Sequence, residues 1–327
     1  MGISAPIDLE TDVFTADSDR AGGDAWRTIT RILWQYLRSD LRDMEDERKR
    51  QFKVNWRKHV LKPIPLVRRL ALEQAQAYLN APQRSFTGFD EQQSERMLGL
   101  YDGMAINEIM LNAHQQLCAL NNATVWVWPK RGGGVRLLLV PPHDQAVEMS
   151  DPTSHDEADV AQWFVKLPVS TDVTTGIVTY GTALVTPTQA VWCDDAPDDL
   201  AGKGLWTDDG SNPLGFIPAV RLRNALPAPG EFFSPANETL LMAQRAVQAD
   251  ATSIGVVALQ QAHGQAVLKG LPHAAASEIE LGPETVVGLS DPDYEFEFVQ
   301  ADPRLDGYRM VVDHYLKMSV AMQGMSP

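Results

Sequence analysis

Several groups of side chains in this sequence have the type and spacing for chemistry. The acid pairs Asp194-Asp195, Asp198-Asp199 and Asp208-Asp209 could hold divalent cations in a two-metal nuclease. That chemistry needs carboxylates fixed on rigid elements. These acids sit among Ala, Pro and Gly in DDAPDDLAGKGLWTDDGSNPLG, a loop by composition, and the EF-hand spacing is not met. His143, Asp144, His155 and Asp156 lie on nearby loops and could approach one metal, but neither HExxH nor CxxC occurs. Solvated loop side chains are the plainer reading of both sets. Lys130-Arg131-Gly132-Gly133-Gly134 could cradle phosphate. No Walker A spacing exists, however, and no helix follows the glycines, so a hairpin turn fits better. There is no GxSxG, and no serine or cysteine has a recognisable partner. The residues make no positive case for catalysis, for a metal or for a cofactor, so the chain is read as not an enzyme.

The elements that would position such groups belong to a chain of 327 residues, enough for two or three structural units. Hydrophobic residues are 44% and charged residues 22%, close to the globular norm, which excludes wholesale disorder. No stretch approaches the ~18 apolar residues of a membrane span, and no basic, apolar leader is expected in the first twenty residues. Cys118 and Cys193 make no disulfide framework and suit a reducing cytosol. The net charge of -15 disfavours electrostatic wrapping of nucleic acid by the chain as a whole. The charge is uneven. Residues 38–69 hold eleven Lys/Arg against five Asp/Glu, and residues 271–303 hold eight acids with no Lys or Arg. Blocks of this kind form solvated faces or meet partners of opposite charge.

Along the chain, residues 1–22 read as a loose acidic tail. Trp26, Ile29, Ile32, Leu33, Tyr36 and Leu37 recur at helical spacing, and LRDMEDERKRQFKVNW continues helically with its acids preceding its bases. Lys62-Pro63-Ile64-Pro65 breaks the helix, Leu66 to Leu79 resumes it, and one longer helix is expected from about Glu91 to Ala119. Its expected buried residues are Met97, Leu100, Tyr101, Met104, Ile109 and Leu117. From Asn122 the period changes to two. ATVWVWP and VRLLLVPP around KRGGG read as a hairpin, with further strands at Gln145–Met149, Val160–Leu167, Gly176–Thr186 and Ala190–Cys193. IPAVRLRN is a short strand. A helix runs from Asn237 to Gln261, and its small residues Ala243, Ala246, Ala249 and Gly255 allow close packing within one subunit or against a neighbour. ETVVGL and YEFEFV are short β pieces among acidic loops. Leu305, Tyr308, Val312, Tyr315, Leu316 and Val320 mark a last helix.

Asn212-Pro213-Leu214-Gly215-Phe216-Ile217-Pro218-Ala219-Val220, with Asn224 behind it, resembles a segment of the portal (head-tail connector) proteins of tailed bacteriophages, in the branch found in siphophages. There it reads approximately N-x-L-G-x-I-P-V-V and leads into a long helix. Ala219 departs from that pattern, and the acidic insert matches none of it. The best of the resemblance covers about residues 212–270.

The resemblance implies an α+β subunit: a helical and β wing, then two long stem helices flanking a small α/β clip. The wing would be residues 23–210, with helices over 23–121 and a β domain over 122–210. Residues 211–270 would give a strand and the first stem helix, 271–301 the clip, and 302–327 the second stem helix. The family continues into a crown that this chain would lack. It further implies a homo-oligomeric ring, usually a dodecamer, at the capsid vertex of the virion, assembled in the host cytoplasm. Double-stranded DNA would pass through the ring in packaging and ejection. Its partners would be the packaging terminase, a head-completion or tail connector protein, and the major capsid or scaffold protein; no membrane is involved.

On these residues, the clip would present Glu278, Glu280, Glu284, Asp291, Asp293, Glu295 and Glu297 to a basic partner and raise its on-rate. Arg304, Arg309, Lys317 and Gln323 would face the channel, or the cations would pair with neighbouring acids. Ala243, Ala246, Ala249 and Gly255 would pack between subunits. Twelve copies would carry about -180, a sleeve that repels DNA and so conducts it rather than grips it. A metal-dependent nuclease built on the Asp194–Asp209 acids and a monomeric adaptor binding through the acidic insert are the competing readings.

Overall fold

The computed structural model describes residues 24–40, 42–52, 64–76, 80, 82–130, 133–151, 153–171, 178–193, 200–228, 230–262, 265–269, 295–299 and 305–322. The chain divides into two compact units, Met1–Asp40 with Pro65–Leu241, and Leu41–Ile64 with Met242–Pro327. The α+β class expected from the sequence is the class observed.

In the first unit, helix α1 (Asp24–Leu37) buries Trp26, Thr30, Leu33, Tyr36 and Leu37, the face its spacing predicts. Helix α2 (Arg42–Phe52) belongs to the second unit. Helix α3 (Leu66–Gln74) stops short of the expected Leu79, with the buried Ala75 as its cap. The single helix expected over 91–119 is two helices, α4 (Glu91–Gly103) and α5 (Ile106–Leu120). Ala105 sits between them at φ 49°, left-handed backbone that costs an L-residue about 1–2 kcal/mol. The expected burial is corrected as well. No α4 residue is fully buried, and Leu98 and Leu100 are exposed. Helix α4 is held at its start by a capping box, in which Gln93 N donates to Asp90 Oδ1 (2.7 Å) and Asp90 N to Gln93 Oε1 (3.1 Å).

The β region is two antiparallel sheets. Strands β1 (Asn122–Pro129) and β2 (Val135–Val140) form the expected hairpin, closed by Lys130 N donating to Gly134 O. Gly133 and Gly134 have φ 105° and 84°, which explains a glycine run at a turn rather than at a phosphate. The second sheet has the order β3 (Gln145–Met149), β4 (Val160–Thr171), β5 (Val178–Val185), β6 (Ala190–Trp192). Pro168 is accommodated where the β4–β5 register shifts. Strand β7 (Ala219–Arg223), read from the sequence as the start of the stem region, pairs with β1 and completes the first sheet in the order β2-β1-β7.

Period-two alternation along β1 serves two cores. Ala123 and Val125 face α5, where Ile109, Met110 and Leu117 pack on them. Trp126 and Trp128 face the second sheet and join Trp163, Val165, Val185, Trp206, Phe232 and Phe233. The rings meet edge to face: Trp126 with Trp163 at 5.1 Å, Trp128 with Trp206 at 5.4 Å, and Trp163 with Phe232 at 5.2 Å. Such pairs add about 0.5–1.5 kcal/mol each beyond the area they bury.

Helix α6 (Glu238–Ala262) begins in the first unit and continues into the second. Strands β8 (Gln265–Lys269) and β9 (Glu295–Val299) pair antiparallel, and helix α7 (Leu305–Met322) follows.

Candidate functional site

Those of the expected clip, channel and packing residues that are described lie on α6, β9 and α7. Small residues recur along α6, yet its fully buried face in the second unit is a different one: Gln244, Val247, Gln248, Ala251 and Thr252. Three of these are polar and stand one turn apart. Gln244 Nε2 donates to Ile64 O (2.8 Å), and Ile64 N donates to Gln248 Oε1 (3.0 Å). Thr252 Oγ1 donates back to Gln248 O (2.8 Å). Ile64 lies between two prolines, so its N–H is the only backbone donor of that tripeptide. Two glutamines on successive turns satisfy both of its backbone groups, as a neighbouring strand would.

Beside this row, Arg245 makes a two-pronged pair with Asp43 on α2, Nη2 to Oδ1 at 2.7 Å and Nε to Oδ2 at 3.1 Å. The Asp43 side chain is 6% exposed and the guanidinium 29%. The two residues are 202 positions apart in sequence, and no local pattern announces the pair. The glutamine row does have a sequence signal, polar residues every four positions on the face that carries Val247 and Ala251. Reading α6 for its small residues alone misses it.

Ala243, Ala246, Ala249 and Gly255 are half-buried and lie off the fully buried row. Of the expected clip acids, Glu295 is exposed on β9 and Glu297 occupies β9 opposite Val267. Glu278, Glu280, Glu284, Asp291 and Asp293 lie outside the described residues. The YEFEFV piece becomes β9, whereas β8 was not anticipated. Of the expected channel residues, Arg304 and Gln323 lie outside the described residues, and Arg309 is exposed on α7. Lys317 pairs with Asp313 of its own helix at 2.7 Å, and that hydrogen bond and charge hold the Asp313 carboxyl below its ordinary range. Helix α7 also exposes Met310 at 69%, with Val311, Tyr315 and Met318 exposed in lesser degree.

The segment that carries the family resemblance has a clear structural role in the first unit. Asn212 Nδ2 donates to Thr186 O (2.7 Å) and Phe216 O (2.9 Å), and Asn212 Oδ1 accepts from Leu214 N (3.0 Å). Gly215 has φ 74°, the left-handed turn that glycine takes without strain. Asn224 Nδ2 donates to Leu117 O at the end of α5, and Asn224 N donates to Asn121 O. The motif residues therefore lock the approach to β7 and its exit.

Those of the residues read for metal chemistry that are described do not come together. Among the described residues no cluster of His, Cys, Asp and Glu is arranged to hold a metal ion. Asp194, Asp195, Asp198 and Asp199 lie outside the described residues. Asp209 instead closes a turn, its Oδ1 accepting from Ser211 N (3.1 Å) and Ser211 Oγ (2.8 Å). His143 and Asp144 form a close pair, Nε2 to Oδ2 at 3.9 Å, in a turn between β2 and β3. Burial, with Arg31 and Arg27 nearby, lowers the His143 pKa to about 4; burial raises that of Asp144 to about 6 against the pull of Lys166, Arg27 and Arg31. Burial likewise pushes the Cys118 thiol up to about 11, which leaves it inert at neutral pH. No described helix is long and apolar enough to cross a membrane.

No family model and no curated protein matches the chain. Among solved structures, it resembles a chain of the virion of a native gene transfer agent particle, at 11% identity and a TM-score of 0.40, over 80% of this chain and 67% of that one. It also resembles a chain in the neck of an empty gene transfer agent particle, at 10% identity and a TM-score of 0.42, over 82% and 73%. These are likenesses of fold, and no role is carried across from them.

Proposed function

We propose that this chain is a structural subunit of a phage-type particle, a portal-like protein whose copies close into a ring through which double-stranded DNA passes. The observation that carries the reading is the succession of elements that begins within the Asn212–Asn224 segment: strand, 25-residue helix, strand pair, 18-residue helix. Helices α6 and α7 would be the stem and the β8–β9 pair the base of the clip. The half-buried alanines of α6 and the apolar side chains exposed on α7 supply surface that neighbouring copies would cover. The acidic stretch between β8 and β9 would meet a basic docking partner, either the packaging motor or a connector protein. No catalytic role is assigned, and the site of action would be the capsid vertex of a virion.

The test is the particle mass of the purified protein by native mass spectrometry, with end-on electron micrographs. The expected outcome is a ring of about a dozen copies with a central hole, the number implied by the sequence resemblance. The variant Met310→Glu, placed on the exposed face of α7, should shift the protein toward monomers without changing its far-ultraviolet circular dichroism. A wild-type protein that stays monomeric at every concentration, with the whole chain folded, would sink the reading.

A further inference from the structure

We propose that the open edge of β2 is a docking site for a strand, and that its occupant is residues 7–13 of this same protein. This inference does not depend on the ring. In the sheet β2-β1-β7 one side of β2 has no neighbouring strand. Val127 N donates to Pro218 O on β7, so at the Val127–Leu137 pair the backbone groups of the two residues point away from each other. The N–H and C=O of Leu137 therefore face outward, as do those of Val135 and Leu139 by the period of two. Among the described residues nothing bonds to them. The strand packs on β1 and α5 and lacks the devices that usually blunt an edge. Its sequence, VRLLLV, has no proline and a single charge, and its pairing with β1 has no bulge. The other edge of the sheet differs. Arg221, in the middle of β7, is buried and tied to Phe232 and His155. An apolar edge left open is a template for another strand, joined through main-chain hydrogen bonds.

The protein itself supplies a sequence that matches both faces of this edge. Ile7, Leu9, Thr11 and Val13 alternate with Asp8, Glu10 and Asp12, the pattern of a strand with one apolar and one charged face. These residues lie outside the described ones. On one face of β2, Leu137 and Leu139 are half-buried against the cluster that Ile109, Met110 and Leu117 of α5 complete. Ile7, Leu9 and Val13 laid beside them would extend that cluster. On the other face Arg136 is exposed, with Lys130 exposed at the adjoining turn. The three acids would lie on that face, opposite charges on neighbouring strands. The reverse orientation would set them against leucines. The connection also reaches. Trp26, near the start of α1, belongs to the ring cluster that takes in Val140 and Leu138 of β2. The roughly ten residues between Val13 and Asp24 can span about 33 Å when extended.

The experiment is amide hydrogen exchange on the full chain, read residue by residue by fragmentation mass spectrometry, which suits an assembly of any size. An open edge gives alternation along β2, with the inward amide of Leu138 slow and the outward amides of Leu137 and Leu139 fast. A docked strand makes all three slow, with the outward pair within about tenfold of Leu138. Leu9→Pro breaks the added strand at a position outside the rest of the fold. It should speed exchange at Leu137 and Leu139 by about tenfold or more and leave Leu138 unchanged. Arg136→Glu should speed the same two amides severalfold, and Asp8→Lys with Glu10→Lys and Asp12→Lys should restore them. Isotope-labelled Leu9→Pro chains assembled with unlabelled wild type then locate the donor. Renewed protection of the labelled β2 assigns a segment passed between copies, and none assigns each chain's own segment; both support the site. Fast outward amides in the wild type overturn the proposal. Slow outward amides that Leu9→Pro leaves unchanged overturn it too, because the edge is then covered by something else, such as β2 of a second copy.

Discussion

The two compact units fill their interiors with different chemistry. The first is built around rings: Trp126, Trp128, Trp163, Trp206, Phe232 and Phe233 pack together, with Gln145 bonded to Trp163 and Arg221 over Phe232 as polar partners at the edge of the cluster. The second is built around a polar row: Gln244, Gln248 and Thr252 along one face of α6, with the Arg245–Asp43 pair at its side. A ring core is specified by shape and tolerates few vacancies. A polar row is specified by hydrogen-bond direction and tolerates no missing partner. The difference teaches where each unit is vulnerable, to lost volume in the first and to lost acceptors and donors in the second.

The largest expected effect lies in the first unit. Trp163 is 1% exposed, meets Trp126 and Phe232 edge to face, and donates its indole N–H to Gln145 Oε1 at 3.0 Å. Gln145 in turn donates to Val140 O. Trp163→Ala should cost about 3–5 kcal/mol, measured by urea unfolding, because the cavity cannot collapse between two sheets. A loss under about 1 kcal/mol would mean that the ring cluster is not the core that holds this unit.

That core was largely legible in the sequence, and the reason is local. Alternation in ATVWVWP and the apolar run VRLLLV predict a hairpin, and the glycine run between them favours a turn over a phosphate cradle. The face of α1 could be read from three- and four-residue spacing for the same reason. The helix break at Ala105 could not, because no proline stands there and local propensity gives an alanine no reason to take left-handed backbone. The partner of Asp43 is 202 residues away and β8 pairs with a strand some thirty residues on, distances over which periodicity says nothing. The candidate site was legible as a succession of elements only. The spacing of small residues on α6 drew attention from the glutamines that the chain buries.

A second prediction tests a buried polar pair of the first unit. His143 has a folded pKa of about 4 against an ordinary 6.5, so the stability it contributes is present above about 6.5 and lost as pH falls through about 4. Asp144 has the opposite sign. At about 6 against 3.8, its contribution is present below about 3.8 and lost as pH rises through about 6. Between about 4 and 6 the folded and unfolded chains each hold one proton on this pair, and the two slopes cancel. His143→Gln removes one slope. Relative to wild type, the variant should gain about 2–3 kcal/mol as pH falls from 7 to 4.5, read from urea unfolding at the two values. A pH-independent difference would mean that the imidazole is not desolvated in the folded chain.

The smallest expected effect, and the one that sharpens the comparison most, is at Gln248. Gln248→Met nearly keeps the volume and removes the acceptor for Ile64 N, so the cost should be an unsatisfied donor rather than a cavity, about 1–2 kcal/mol. Proline on either side leaves Ile64 no neighbouring N–H to take up the strain, and the acceptor cannot be replaced by a small backbone shift. The measurement is amide hydrogen exchange across α6. Protection should fall from Gln244 to Thr252, while the amides of β1 and β4 stay as in wild type. If Gln248→Met leaves that protection unchanged, the second unit is held by packed volume like the first, and the contrast between the two interiors is one of composition without consequence.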